Sequence, residues 1–268
     1  MFRVELAKAF HRWRTYLLAA AIGGIPIIIV FALKVSPPDP GAAEDAPPFL
    51  FQITANGLFA ALTGLAVVQP FFLPLATGLF AGDAVAGEAQ SGTLRYLLLR
   101  PVRRTRLVLA KYCSSMTLLG GLVLVTLVSG VVAGAVVFGL SPLPTLSGST
   151  LSVTEGLARV GASGVYMLAV LSGIACIGLC ISTRTDSGPG AAVATIVIAI
   201  ASQIMDQIPS LDAIHPFLPT HGWLGFTGLF RFPVDWAPMR AGLAVSAAYT
   251  VVFLTAAVAG FRRRDVTS

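Results

Sequence analysis

The sequence predicts an all-α membrane protein with six transmembrane helices. Of its 268 residues, 56% are hydrophobic and only 11% are charged, whereas a soluble domain has about 25% charged residues. The apolar residues lie in six continuous blocks, each long enough to cross a hydrocarbon layer about 30 Å thick as a helix. The blocks cover approximately residues 16–33, 57–81, 112–140, 160–181, 189–208 and 241–261. This composition excludes a soluble enzyme and a disordered chain, and three cysteines exclude a disulfide scaffold.

The basic residues predict how these blocks are oriented. If both termini lie inside, 14 of the 18 Lys and Arg residues fall on segments 1–15, 82–111, 182–188 and 262–268. Cytoplasmic loops carry such an excess, so we expect a multi-pass protein of a bacterial-type cytoplasmic membrane with both termini cytoplasmic. Part of the basic charge is expected to contact anionic membrane lipids. No base-reading motif is present, so nucleic acid is not an expected partner.

Cysteine labelling tests this topology. Once the three native cysteines are replaced, single cysteines at Asp45 or Asp212 should react with an impermeant maleimide in intact cells, because these positions lie outside. Cysteines at Arg103 or Ser268 should stay unlabelled until the membrane is opened. Labelling of Arg103→Cys from outside would reverse the whole orientation.

The chain, residues 1–268, is expected to form one transmembrane domain with two kinds of interfacial element. The interfacial segment 1–15 is expected to lie in an amphipathic helix over residues 2–17 along the inner membrane surface. Phe2, Leu6 and Phe10 share its apolar side and Lys8 lies on its polar side. Residues 206–239 are rich in proline and tryptophan, which predicts short helices dipping into the outer leaflet.

The segment between the second and third blocks is the longest polar stretch on the inside. Asp83 is expected to cap a short helix that contains Glu88, and Gly92 to end it. Thr93 should cap a second short helix, which Pro101 ends. The basic side chains that lead into the third block are Arg103, Arg104, Arg106 and Lys111. The pattern predicts a compact helix–turn–helix under the membrane, with one carboxylate and a dense cationic patch.

This segment resembles the signature of the type-2 permeases of ATP-binding-cassette (ABC) exporters. That signature runs from a glutamate through Gly-Thr-Leu, a leucine pair, a proline, a small residue and an arginine to a lysine at the start of the third span. The residues that match it are Glu88, Gly92, Thr93, Leu94, Leu98, Arg100, Pro101, Arg104 and Lys111. The six blocks and the N-terminal helix agree with the family. The sequence departs from it at Val102-Arg103, where Ser or Gly often precedes the arginine.

The resemblance implies a permease subunit that moves a hydrophobic or amphipathic substrate, such as a drug, antibiotic, peptide or lipid, outward across the membrane. The segment would be a coupling helix that contacts a separate ATPase subunit, with Glu88 facing the ATPase or locking the helix. The expected coupling residues are Asp83, Glu88, Gly92, Thr93, Leu94, Arg95, Arg100, Pro101, Arg103 and Arg104. The chain has no G-x-x-x-x-G-K-[ST] loop for phosphate. We therefore expect no cofactor and no enzymatic activity in this chain, with ATP and Mg²⁺ on two ATPase chains that join two permease copies.

Asp206 is the one acidic residue inside a predicted span, and it has two interpretations. It marks the outer end of the fifth span, because Pro209 follows closely, or it belongs to a polar patch on the translocation path. That patch would comprise Gln203, Met205, Asp206 and Gln207. The three cysteines are interpreted as small apolar residues within the spans and not as ligands of a metal site.

Two other classes of protein compete with a permease. Ser163 lies in a Gly-Ala-Ser-Gly sequence similar to that of rhomboid intramembrane proteases, with His215 as a candidate base. However, His215 is followed by a proline and cannot lie inside a helix. A channel or secondary transporter is the other alternative, but such proteins usually bury ionisable groups at mid-membrane, and these spans are almost free of charge.

Overall fold

The computed structural model of the chain describes residues 2–37, 47, 49–92, 103–145, 147–148 and 150–263. Nine α-helices make up most of this part of the chain. They are α1 (Phe2–Phe10), α2 (Trp13–Val35), α3 (Phe59–Val68), α4 (Phe72–Thr77), α5 (Asp83–Gln90), α6 (Arg104–Phe138), α7 (Val153–Ser182), α8 (Gly188–Asp206) and α9 (Ala237–Arg263).

The described residues confirm an all-α membrane protein. Five helices, α2, α6, α7, α8 and α9, are long and apolar enough to cross a membrane. The pair formed by α3 and α4–α5 meets the same test together but is bent by 62°, which makes it either a broken sixth span or a re-entrant loop. Each helix is apolar along most of its length because its side chains meet either lipid or other helices.

Short elements connect the spans. One two-stranded antiparallel hairpin pairs Leu143–Pro144 with Thr150–Leu151. Short 3₁₀ helices cover Leu50–Gln52, Pro209–Leu211, His215–Phe217 and Trp223–Phe230. The last three confirm the short helices expected within residues 206–239. Trp223, Phe226 and Phe230 are buried, so this segment packs into the bundle.

The second apolar block is bent, as Pro70 and Pro74 within it predict. A break separates α3 from α4, and a π turn over Gly78–Gly82 joins α4 to α5. Pro70 lies in the break and Pro74 lies in the first turn of α4. Each proline lacks the N–H that would bond the carbonyl four residues earlier, and the bend follows from those two missing hydrogen bonds.

Two predictions about helix ends are wrong. The N-terminal amphipathic helix stops at Phe10, because Arg12 is extended and Thr15 Oγ1 donates to the Ala9 carbonyl at 2.8 Å. The first span therefore begins at Trp13. Asp83 does not cap a new helix, since the helical backbone continues from the π turn through Gly82.

Close helix packing depends on glycine at two places in α6. A Cβ on Gly130 would collide with the backbone of Ala61, and one on Gly134 with the carbonyl of Gly57. Glycine therefore lets α6 approach the start of the second span within backbone contact distance. The core between α3, α6, α7 and the 3₁₀ helix Trp223–Phe230 is built on this contact.

The two ends of the bundle differ in chemistry. One end, which we call the basic end, is formed by α1, α5, the start of α6, the α7–α8 turn and the C-terminus of α9. Arg104 in α6 donates to the carbonyls of Phe261 and Arg262 at 3.1 and 3.0 Å. Arg184 in the α7–α8 turn donates to the Ala256 carbonyl at 3.3 Å. Arg104 thus satisfies two of the free carbonyls in the last turn of α9, while Arg184 contacts that helix two turns earlier.

Candidate functional site

Four charged side chains meet inside the basic end, and we call them the charge cluster: Glu5, Lys8, Glu88 and Lys111. Lys111 Nζ lies 2.7 Å from Glu88 Oε2 and 3.3 Å from Glu5 Oε2. Lys8 Nζ lies 3.3 Å from Glu88 Oε1. Because two acids face two bases, the formal charges of the cluster cancel. The cluster joins three helices, since α1 supplies Glu5 and Lys8, α5 supplies Glu88 and α6 supplies Lys111.

Burial makes the two central charges interdependent. Lys111 is 2% exposed and Glu88 is 8% exposed, whereas the Lys8 side chain is 47% exposed. A buried charge that loses its partner is expensive, while an exposed pair contributes little. The Glu88–Lys111 pair therefore links α5 to α6 as a buried ion pair, next to the apolar cluster that contains Val85 of α5 and Leu107 and Val108 of α6.

A second ion pair lies beside the cluster at the break between α1 and α2. Arg12 Nη1 lies 3.5 Å from Asp83 Oδ2, so both acids of α5 bind bases that lie on or next to α1. A cavity of about 80 Å³ lies between these groups, with Ser114 and Ser115 of α6 in its wall. It is polar and large enough to hold water.

The opposite side of α5 is held by hydrogen bonds. Ser182 Oγ, at the end of α7, accepts from the amides of Val85 and Ala86 at 3.0 and 2.9 Å. Gln90 Oε1 accepts from the amide of Gly188 at 3.1 Å. Gly188 packs closely on α5, because a Cβ on Gly188 would collide with Asp83 Oδ1 and would lie 3.0 Å from Gly87 Cα. The helix α5 is thus fixed to α7 and α8 on one side and to α1 and α6 on the other.

The structure describes five of the ten predicted coupling residues. Asp83 and Glu88 are ion-paired within the chain, and Arg104 binds the end of α9. Gly92 follows the end of α5 with φ +69°, a left-handed conformation that favours glycine, so its expected role as a helix terminator is confirmed. Arg103 immediately precedes α6 and is exposed. The other five, Thr93, Leu94, Arg95, Arg100 and Pro101, lie outside the described residues.

Sequence reasoning missed the partners of Glu88. It assigned Lys111 to a general cationic patch and Lys8 to the polar side of an interfacial helix. One signal was available, since Glu5 and Lys8 are spaced to share one side of a helix. Nothing in a single sequence indicates that this side meets Glu88.

The predicted translocation residues have different partners. Asp206 is the last residue of α8, which confirms its interpretation as the end of that helix. It pairs with His221. Gln203 Nε2 instead donates to the Pro70 carbonyl at 2.9 Å, and the Met205 carbonyl contacts His215 Nε2 at 3.1 Å. Gln207 is exposed.

The structure gives the two candidate protease residues other partners. Ser163 is fully buried and its Oγ donates to the Arg159 carbonyl at 2.9 Å. His215 contacts Met205 and Asp212. Its ring is therefore not placed to accept the proton of Ser163. Within the described ranges, no group of three or more His, Cys, Asp or Glu residues is arranged to hold a metal ion.

Comparison with known proteins identifies one family. No curated protein matches the chain. A family model with the description "Protein of unknown function (DUF2705)" matches residues 43–267. That range includes α3 to α9 and Glu88 and Lys111, the buried pair of the charge cluster. Since the match covers most of the sequence, the chain belongs to the DUF2705 family, whose function is unknown.

Proposed function

We propose that this chain is the membrane-spanning permease subunit of a type-2 ABC exporter. It would move a hydrophobic or amphipathic substrate outward across the cytoplasmic membrane, driven by a separate ATPase. The observation that carries the proposal is the segment from Glu88 to Lys111, whose residues resemble the coupling signature of these permeases. The contacts of α5 support it, because a helix that receives motion from a partner must be tied firmly to the spans.

The basic end supplies such ties. A displacement of the chain after Gly92 would pull on α5, which continues through the π turn into α4. The charge cluster would pass the displacement to α1 and α6. Ser182 and the Gly87–Gly188 contact would pass it to α7 and α8. One short helix can in this way move several spans together, since packed elements move as units instead of deforming continuously.

Charge distribution supports the placement of the partner. With the basic end in the cytoplasm, the ATPase would meet the side on which ATP is available, and the excess of Lys and Arg agrees with that orientation. The sequence lacks a phosphate-binding loop, so ATP and Mg²⁺ would bind the partner alone. The expected assembly has two permease chains and two ATPase chains, surrounded by lipid.

Co-purification tests the proposal. Expressed alone, the chain should show no ATP hydrolysis, because it has no element that cradles phosphates. Expressed with its cognate ATPase, it should purify as a two-plus-two complex, measured as a mass in detergent. The matched control is the same ATPase co-expressed with a chain truncated before α5. A chain that transports without any ATPase would disprove the proposal.

A further inference from the structure

The cavity beside the charge cluster lies between the start of α2, the π turn and α6. Its volume of about 80 Å³ is sufficient for several water molecules or for one phosphate group. The cavity is partly open. Lys8 and Arg12, whose side chains are 47% and 54% exposed, lie both in its wall and on the adjoining surface of α1. A ligand group can therefore enter it from outside the bundle.

The wall of this cavity carries one positive charge more than its acids balance. The charge cluster is neutral, and Arg12 pairs with Asp83 at 3.5 Å. Arg14, an exposed residue in the first turn of α2, also lines the cavity and forms no ion pair with any residue of the described ranges. Both acids of the wall, Glu5 and Asp83, already contact a base. The unbalanced group is thus a guanidinium, which binds phosphate oxygens well.

Two further features of the wall supply unused hydrogen-bond donors. The helix α2 begins without a side-chain cap, since Arg12 at its N-cap position makes no such bond, and the first amides of a helix favour anions. Ser114 of α6 lines the cavity and is only 6% exposed, yet its hydroxyl makes no hydrogen bond with any residue that the structure describes. A buried hydroxyl of this kind is expected where water or a ligand supplies the partner.

The position of the cavity along the spans matches the membrane interface. Trp13 and Tyr16, in the first turn of α2, are 70% and 59% exposed, and such aromatic residues occupy the headgroup level of membrane spans. Leu18 and Leu118, in the wall of the cavity, lie further from the basic end along α2 and α6. The cavity is therefore charged toward the aqueous side and apolar toward the hydrocarbon, as a lipid headgroup requires.

We propose that this cavity binds the phosphate headgroup of an anionic phospholipid. The phosphate would accept hydrogen bonds from Arg14, from the hydroxyl of Ser114 and from the first amides of α2. The excess of one positive charge favours a lipid with a net negative charge over a zwitterionic one. The inference is independent of the proposed exporter, because it concerns the chain without its ATPase.

Titration of the purified chain with two lipids tests the site. In detergent at fixed ionic strength, phosphatidylglycerol should bind saturably, as measured by native mass spectrometry, and phosphatidylcholine with the same acyl chains should bind at least about tenfold more weakly. Arg14→Gln should weaken phosphatidylglycerol binding about tenfold and Ser114→Ala about threefold, since each removes a donor to the phosphate. The control is Arg240→Gln, which removes an exposed arginine from the first turn of α9 at the opposite end of the bundle. It should bind both lipids as wild type does.

The melting temperature without lipid separates a lost site from a damaged fold. Neither Arg14→Gln nor Ser114→Ala breaks a hydrogen bond or ion pair between described residues, so both should melt at the wild-type temperature. A lower melting temperature of both variants would assign these side chains to the fold and overturn the inference.

Three binding results would also overturn the inference. They are equal affinity for the two lipids, unchanged phosphatidylglycerol affinity in both variants, and equal weakening by Arg240→Gln. Saturable stabilisation by inorganic phosphate alone, lost in Arg14→Gln, would assign the cavity to a free anion and overturn the lipid assignment. Failure to co-purify with an ATPase contradicts only the proposed exporter and leaves the lipid result intact.

Discussion

Replacing Lys111 with methionine should remove about 3–5 kcal/mol of folding free energy, the largest effect expected for any single substitution in this chain. Lys111 is 2% exposed and contacts both Glu5 and Glu88. Without its ammonium, two carboxylates remain together at a buried position, with the partly exposed Lys8 as their shared counter-charge. The measurement is thermal unfolding of the purified protein in detergent.

Two variants separate charge from packing in that experiment. Lys8→Met removes a cation of the same cluster whose side chain is 47% exposed, and it should cost at most about 1 kcal/mol. The triple variant Lys111→Met, Glu5→Gln, Glu88→Gln removes both unpaired charges and should recover most of the lost stability. If Lys111→Met unfolds at the wild-type temperature, the buried ion pair does not hold α5 against α6.

Glu88→Ala should separate ATP hydrolysis from export in the assembled complex. The Glu88 carboxylate pairs with Lys8 of α1 and Lys111 of α6 and so links α5 to both helices. Each such charge-assisted contact contributes about 1.5–3 kcal/mol. Losing that much interaction free energy at the charge cluster should reduce the rate of export at least about tenfold relative to the rate of ATP hydrolysis. ATPase activity and export of a fluorescent amphipathic dye are measured in the same proteoliposomes.

The chemistry of the groups that pair with Glu88 determines how much export the variant Glu88→Gln should retain. Both partners are ammonium groups, so Glu88→Gln should lose nearly as much export as Glu88→Ala even though it keeps the shape of the side chain. The control is Glu155→Ala, which removes a carboxylate that is 49% exposed and pairs with Arg159 one turn away. Wild-type export from Glu88→Ala would remove Glu88 from the mechanism.

The pattern of hydropathy along the chain predicted the features that depend on local sequence. Five of the six apolar blocks correspond to helices long enough to cross a membrane, and the second block corresponds to the bent pair of α3 with α4–α5. The agreement arises because each helix must be apolar wherever it meets lipid or another helix. The proline pattern predicted a kink in the second span. The fixed geometry of the break also depends on Gln203, a residue of another span whose contact with Pro70 no local pattern reveals.

The candidate site was predicted only in part for the same reason. Gly92 could be recognised because positive φ favours glycine at a helix end. The pairing of Lys111 with Glu5 joins residues that are far apart in sequence, and it exists because α1 folds back across α5 and α6. Asp83 looked like a helix cap because an acid follows a glycine there, but the π turn carries the helix through it.

Photo-crosslinking at the end of α5 tests the central claim most directly. A benzoylphenylalanine at Ser91, an exposed position just after α5, should form an adduct with the ATPase subunit in the purified complex. The same group at Asp212, exposed at the opposite end of the bundle, should form none. An ATPase adduct at Asp212, or a complex in which Ser91 never reaches the ATPase, would contradict the account.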